Sequence, residues 1–361
     1  MYWLFWILAG WLAAGPGDGP QDDPRGLKDY FQDYFLIGAS IAPFETEGPV
    51  ADLILHEFNT ITAENAMKFG PIHPEENRFE WQGADRIAAF ARLNNLKLRG
   101  HTLCWHNQTP SWLFINDEGR SVNKEVLLSR LKHHITEVVH RYQNEVYAWD
   151  VVNEAISDNP DEYLRITPWL TVCGEEYLAK AFQYAHEADP EALLFYNDYN
   201  TWHPEKRVKI IRMIRSLQAQ GIPIDGIGIQ GHWSIYGPDE AQLETAISEY
   251  EALGLLIHIT ELDVSVYPPE SKRRDKLPDE PDAFTAQKQK MQQEQYDRIF
   301  RVLARHRNSI QSVTFWNVSD QRTWLDHFPV RGRKNYPLLF DTSLRRKPVY
   351  TKIIAGLIQE N

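Results

Sequence analysis

Val146-Tyr147-Ala148-Trp149-Asp150-Val151-Val152-Asn153-Glu154 opens as a β-branched and aromatic run and closes on an amide and a carboxylate. Such residues suit a strand covered on both faces, as in a parallel sheet, and the polar close marks the strand's carboxyl end. Seven more runs of this kind surround it: Phe35–Ala39, Asn59–Ala63, Lys97–Leu103, Ala192–Tyr196, Asp225–Gln230, Leu255–Thr260 and Gln311–Trp316. Amphipathic stretches separate them. Ala84–Leu93 repeats apolar residues at Ile87, Phe90, Ala91 and Leu93; Lys124–Tyr142 puts Leu127, Leu128, Leu131, Ile135, Val138 and Val139 on one stripe. A third helix starts at Pro204 and stops before Gly221, a fourth spans Asp239–Leu253 and ends at Gly254, and a fifth runs over Phe284–Arg305. Eight strands alternating with helices predict an α/β fold, a single-domain (β/α)8 TIM barrel. The rival, an open doubly wound sheet, would usually carry a glycine-rich phosphate loop, and none is present.

The polar residues gather just past these runs. Glu64, Asn65 and Lys68 follow the second; His101, Trp105, His106 and Asn107 close the third; Asn153 and Glu154 close the fourth. Asn197, Asp198, Tyr199 and Asn200 follow the fifth, Gln230 and His232 the sixth, Glu261 and Asp263 the seventh, and Trp316, Asp320 and Trp324 the eighth. Burying such groups unpaired costs several kcal/mol, roughly 2–7 for each neutral one, so packing does not explain the pattern. On a barrel these ends share one face, where active sites are built. Strands four and seven lie across the barrel from each other, so Glu154 and Glu261 are expected to face one another. The proline- and charge-rich stretch Val266–Asp282 is expected as a long mobile loop on that same face.

Composition narrows the chemistry. The chain of 361 residues has a net charge of −12 and no strong basic stripe, which argues against a nucleic-acid partner. Twelve tryptophans suit the apolar faces of sugar rings. The histidines form no His-Glu-x-x-His run, no Gly-x-Ser-x-Gly elbow is present, and neither a metal nor a cofactor is expected. His133 and His134 are read as a solvated helical pair, and Cys104 and Cys173 as unpaired. Residues 1–14 form an apolar run too short for a membrane span, and with the Pro/Gly/Asp-rich linker to residue 24 they look like a signal peptide without its leading positive charge. Secretion follows if residues 1–24 act as that signal, and a cytoplasmic location if they do not. Residues 25–361 are read as the catalytic domain, with no second membrane candidate.

In order along the chain stand Thr62-Ala63-Glu64-Asn65-Ala66-Met67-Lys68, Arg99-Gly100-His101-Thr102-Leu103-Cys104-Trp105-His106, and Trp149-Asp150-Val151-Val152-Asn153-Glu154. They are followed by Tyr196-Asn197-Asp198-Tyr199-Asn200, Gly228-Ile229-Gln230-Gly231-His232, Ile259-Thr260-Glu261-Leu262-Asp263 and Val313-Thr314-Phe315-Trp316. With these seven motifs the sequence resembles glycoside hydrolase family 10, the barrel xylanases, in its compact bacterial form, from about Leu27 to Ile358.

The resemblance implies endo-acting, retaining hydrolysis of internal β-1,4-xylosidic bonds, with Glu154 as general acid and then base and Glu261 as nucleophile. It implies that Asn153 bonds the sugar 2-hydroxyl and that His232 and Asp263 orient Glu261. Glu64, Asn65, Lys68, His101, Trp105 and Gln230 would grip two sugars on the non-reducing side, with Trp316 and Trp324 closing over them and Tyr199 stacking beyond the cleavage point. The implied partners are xylan and xylo-oligosaccharides, and the oligomeric state is left open. Asn317 departs from the glycine usual after the last strand's Trp, and Cys104 from a usual aliphatic residue. Two other readings are a retaining cellulase or exo-glycosidase on the same barrel, and an inactive polysaccharide-binding barrel. Against the first stands the Lys68–Trp316–Trp324 wall, expected to exclude glucose's hydroxymethyl group; against the second, both carboxylates are present.

Overall fold

The computed structural model describes residues 24–360; the expected leader therefore lies, all but Pro24, outside the described residues. Eight strands form the barrel: β1 (Leu36–Ile41), β2 (Thr60–Ala63), β3 (Lys97–Cys104), β4 (Val146–Asn153), β5 (Leu193–Asp198), β6 (Gly226–Ile229), β7 (Leu256–Ser265) and β8 (Ile310–Phe315). Each pairs in parallel with the next, and β8 pairs with β1 through Leu36↔Ser312, closing the sheet on itself. Closure leaves no barrel edge exposed to another chain.

The outer layer consists of α1 (Gly48–Glu57), α2 (Gln82–Leu93), α3 (Lys124–Arg141), α4 (Glu176–Ala188), α5 (Pro204–Ala219), α6 (Glu240–Glu251), α7 (Ala286–Arg305) and α8 (Pro348–Glu360). The five helices delimited from the sequence are present within two residues at each end, and local chemistry explains their starts. The side chains of Asn123, Asp239 and Thr285 accept from the N–H groups of Val126, Gln242 and Lys288, satisfying donors that a helix leaves open. Helices α1, α4 and α8 were not delimited in that reading. In α1 the dense apolar run Val50–Leu55 hides the helical period, and the buried Glu57 at its end accepts from the Leu27 N–H and the Tyr350 hydroxyl (2.8 Å each). That carboxylate ties the start of the described chain to α8.

Three expectations change. β7 does not end at Thr260 but runs to Ser265, because residues 263–265 pair with a three-residue strand, His232–Ser234, in the register His232↔Asp263. The stretch after it is not a free loop. Arg274–Asp275 pairs with Val330–Arg331, while Arg274 and the buried Arg333 each bridge Glu270 and Glu280. His134 is buried rather than solvated: its ring stacks on Phe69 at 3.4 Å and its Nδ1 lies 3.2 Å from His73 Nδ1. Of the pair, His133 alone is on the exposed face of α3. Cys104 and Cys173 are both buried and unpaired, as expected.

Inside the barrel, under its upper face, lies a buried ion pair. Arg99 on β3 contacts Asp150 on β4 at 2.5 Å and His258 Nδ1 on β7 at 2.6 Å. Burial pushes the Asp150 carboxyl up, but Arg99 and His101 pull it down further, so it stays below the usual aspartate value. The close approach needed here is visible at Gly100, where a Cβ would stand 2.2 Å from the Trp149 ring.

Candidate active site

All fourteen residues to which the resemblance gives a role stand in or just past the barrel strands, toward their carboxyl ends. Asn153 is the last residue of β4, and at Glu154 the chain leaves the strand at φ 56°, a region that non-glycine residues occupy at a cost of order 1–3 kcal/mol. The turn is held from three sides. The Glu154 N–H donates to the Asn197 carbonyl (2.9 Å), the Tyr196 hydroxyl accepts from the N–H groups of Ala155 and Ile156 (3.1 Å each), and Arg165 Nε donates to the Glu154 carbonyl (3.2 Å). The carboxylate itself accepts from Trp105 Nε1 (2.9 Å) and Gln230 Nε2 (3.0 Å), both neutral donors.

Glu261 sits within regular β7 and is buried. Its Oε1 accepts from Asn197 Nδ2 at 2.7 Å, and its Oε2 lies 3.1 Å from His232 Nε2. His232 Nδ1 meets Asp263 Oδ2 at 2.9 Å, and Trp324 Nε1 donates to that same oxygen at 2.7 Å. Burial works against charge on both groups. On Glu261 the His232 hydrogen bond and the charges of His101 and His232 outweigh burial, and the carboxyl stays below the ordinary glutamate value. On His232 the charges and hydrogen bonds of Asp263 and Glu261 outweigh it and raise the imidazole to about 10. An imidazolium therefore faces a carboxylate on each side.

Three amides connect the two glutamates. Gln230 Nε2 reaches Glu154 and also Asn153 Oδ1 (3.3 Å); Asn197 Nδ2 reaches that same Asn153 oxygen (3.0 Å) and Glu261. Asn153 Nδ2, buried and without a hydrogen-bond partner, is left over as a donor. Asn197 was noted in the sequence as one polar exit among several; the structure makes it the hub. Thr260 Oγ1 fixes its amide at 2.7 Å, and Gly228 leaves the space it fills, since a Cβ there would stand 2.2 Å from Asn197 Oδ1.

Around the pair, Lys68 Nζ donates to Asn65 Oδ1 (3.0 Å) and stands 5.0 Å from the Trp105 ring centre and 5.7 Å from that of Trp316. Burial lowers its ammonium more than Glu261, Glu64 and Glu154 raise it. His101 Nδ1 meets Asp150 (2.9 Å), and its ring stands edge-on to Trp316 at 5.4 Å. Glu64 pairs with Arg322 at 2.6 Å. On the other side of Glu154, Tyr199 receives a hydrogen bond from Arg165 (2.6 Å) under the ammonium of Lys206, 3.6 Å from its ring. Arg165 and Arg322 are functional neighbours that sequence reasoning passed over; a lone arginine in a loop gives no periodic or motif signal. Asn317 is buried at φ 90°, with its N–H on Ser40 Oγ (2.9 Å) and its side-chain amide beside the Trp324 N–H (3.3 Å).

A cleft with two carboxylates, one among neutral donors and one paired with an imidazolium, walled by indoles and amides, can protonate one oxygen and attack one carbon of a neutral polyhydroxyl chain. Comparison with known proteins agrees in kind. The family model described as glycosyl hydrolase family 10 matches residues 26–356. Endo-1,4-beta-xylanase B of Paenibacillus barcinonensis is 49% identical over 330 residues, 91% of this chain and 97% of that one. The endo-1,4-beta-xylanase of Geobacillus stearothermophilus is 47% identical over 328 residues, again 91% and 97%. A solved Paenibacillus barcinonensis xylanase bound to a conduramine derivative superposes with a TM-score of 0.88 at 48% identity, over 92% of this chain and 98% of that one. A mutant structure in complex with xylotriose superposes with a TM-score of 0.87 at 42% identity, over 91% and 99%.

Proposed function

The chain belongs to glycosyl hydrolase family 10, and we infer from this membership and from the cleft that it is an endo-1,4-β-xylanase acting with retention, Glu261 as nucleophile and Glu154 as acid and then base. The observation that carries the assignment of roles is the contrast between the two carboxylates. Glu261 is held below the usual glutamate value by His232, which suits a group that must be ionised to attack carbon. Glu154 accepts only from the neutral donors Trp105 and Gln230 and is half-buried, which suits a group that must pass a proton in both directions.

The reaction runs in two displacements. Glu154 gives its proton to the glycosidic oxygen as the C1–O bond breaks, and Glu261 bonds to C1 through an oxocarbenium-like transition state. Once the glycosyl ester forms, the negative charge of Glu261 is gone and its repulsion on Glu154 with it. Glu154 then takes a proton from water as that water attacks C1, and the ester bond returns its electrons to Glu261. Asn153 Nδ2, the donor left over, serves the hydroxyl on the carbon beside C1. Glu64, Asn65, Lys68, His101 and Gln230 bind sugar hydroxyls on the non-reducing side, and Trp105, Trp316 and Trp324 supply the flat faces. Lys68 beside Trp316 closes the wall where a hydroxymethyl group would project, which favours xylose over glucose. Tyr199 carries the first sugar on the leaving side, and Asp263 acts through His232.

Proton NMR of the earliest products from β-1,4-xylan tests the reading. The β-anomer with a ladder of short xylo-oligosaccharides is expected; an initial α-anomer, or release of single terminal sugars only, would overturn it.

A further inference from the structure

Asp198, the last residue of β5, is fully buried, and no step of the reaction described above uses it. Its carboxylate is shared between two networks. Oδ2 accepts from the Tyr196 hydroxyl at 2.5 Å. Oδ1 accepts from the Tyr199 N–H at 2.8 Å and from Lys206 Nζ at 2.7 Å. Burial raises the carboxyl to about 6, Lys206 limits the rise, and the charge of Glu154 adds to it. Asp198 and Glu154 therefore stand near enough to feel each other's charge.

The direction of these bonds is forced. The Tyr196 oxygen accepts from the N–H groups of Ala155 and Ile156, 3.1 Å each, so its lone pairs are taken and its own proton has to be given away. Asp198 Oδ2 receives it. An amide at this position has one oxygen for two demands: it would answer the Tyr196 hydroxyl or the Tyr199 and Lys206 donors, and its NH2 would face donors on the other side. The second network runs through Lys206, buried on α5, which also meets Asp158 Oδ1 at 3.0 Å. Asp158 Oδ2 accepts from Arg165 Nη2 at 2.9 Å, and Arg165 Nε holds the Glu154 carbonyl. Both clamps on the Glu154 turn thus end on Asp198, one through a single hydroxyl and the other through Lys206, Asp158 and Arg165. The turn depends on them, because Glu154 at φ 56° has no regular strand or helix to hold it.

We propose that Asp198 is a positioning residue for the proton carrier: by orienting the Tyr196 hydroxyl and the Lys206–Asp158–Arg165 chain it aims the Glu154 carboxylate at the glycosidic oxygen, and so it acts on protonation of the leaving group and not on attack at C1. The inference rests on the reading of Glu154 as the acid. Glu261 takes its own orientation from Asn197 Nδ2 and His232. A change of the Asp198 side chain should therefore reach the first carboxylate and spare the second.

The test uses the full chain and compares kcat/KM, which reports the first displacement, on xylohexaose and on a dinitrophenyl xylobioside, whose leaving group needs no proton. In Asp198→Asn the value on xylohexaose is expected to fall by about 10- to 100-fold, while that on the aryl glycoside stays within about threefold of wild type. Tyr196→Phe cuts the shorter of the two routes and should show the same split at a few-fold. It also keeps the test open if Asp198→Asn does not fold, which circular dichroism and thermal unfolding would reveal. Equal losses on the two substrates in a folded variant, or no loss on xylohexaose, would overturn the positioning role, because a merely structural defect does not discriminate between leaving groups. Glu154→Gln is measured alongside. If it too shows no split, the acid assignment is wrong; if it shows one and Asp198→Asn does not, only the role of Asp198 falls.

Discussion

Glu154 and Glu261 reach the same cleft from opposite sides of the barrel by different structural means. Glu261 projects from regular strand, buried, with a charged imidazole on one oxygen and a fixed amide on the other. Glu154 sits one residue past its strand at φ 56°, half-buried, on a turn that only its surroundings hold in place. A nucleophile needs one position and one charge state, and a strand paired on both sides supplies them. A proton carrier has to serve two steps, and its control lies in the groups around it. The strained turn places its carboxylate at the Gln230 end of the amide chain, and the tyrosine and arginine clamps bear the cost of the strain.

The contrast can be broken from either end. Glu261→Gln should lower turnover by at least about 10⁴-fold on every substrate, whatever its leaving group, because no bond to C1 can form. A residual rate that recovers with a good leaving group would move the nucleophile elsewhere. Glu154→Gln should cost roughly 10²–10⁴-fold on xylan. On a nitrophenyl xylobioside, whose leaving group needs no proton, glycosyl transfer should be far less affected. Values of kcat/KM, which report the first displacement, separate these cases, and equal losses in kcat/KM on the two substrates would remove Glu154 from the acid role.

The hub between them comes next. Asn197→Ala removes one charge-assisted bond from Glu261 and frees Asn153 to turn. A fall in kcat of about 10- to 100-fold with intact folding is expected. Full activity would mean that the amide chain is packing only.

The His232 pair gives a pH signature on stability. Its imidazole is opposed by burial and raised by Asp263 and Glu261 to about 10, against about 6.5 in the unfolded chain. Its contribution is therefore complete below about pH 6.5 and is lost as the pH rises through about 10, on the order of a few kcal/mol in all. Urea unfolding of wild type should weaken across that window more than that of His232→Asn. Parallel curves would show that His232 is not charged in the folded protein. The smallest effect belongs to the clamp on the other glutamate. Tyr196→Phe leaves the N–H groups of Ala155 and Ile156 without their acceptor, which should cost about 1–3 kcal/mol of stability and only a few-fold in kcat.

The same contrast explains what could be read from the sequence. The barrel and both glutamates were legible because strand chemistry recurs eight times and polar exits seven times, and a repeated pattern survives local noise. The boundary at Glu261 was misjudged by several residues, since pairing to His232–Ser234 is a tertiary event with no mark in the run itself. The clamps Arg165 and Arg322 were invisible for the same reason: each is one loop arginine whose partners lie far from it in space-blind order along the chain. The lacing of residues 270–282 to Arg333 was hidden too, because a charge-rich, proline-rich stretch has the composition of a mobile loop until its partners are placed. His134 misled by composition, a polar residue held in the core by stacking on Phe69.

The central claim is that Glu261, not Glu154, forms the covalent bond to sugar. A 2-deoxy-2-fluoro-xylobioside with a good leaving group tests it, because fluorine beside C1 destabilises both oxocarbenium-like steps while the leaving group speeds only the first. Mass spectrometry of peptides from the inactivated enzyme is predicted to find one sugar adduct, on the carboxylate of Glu261. An adduct on Glu154, or turnover without any adduct, would contradict the account.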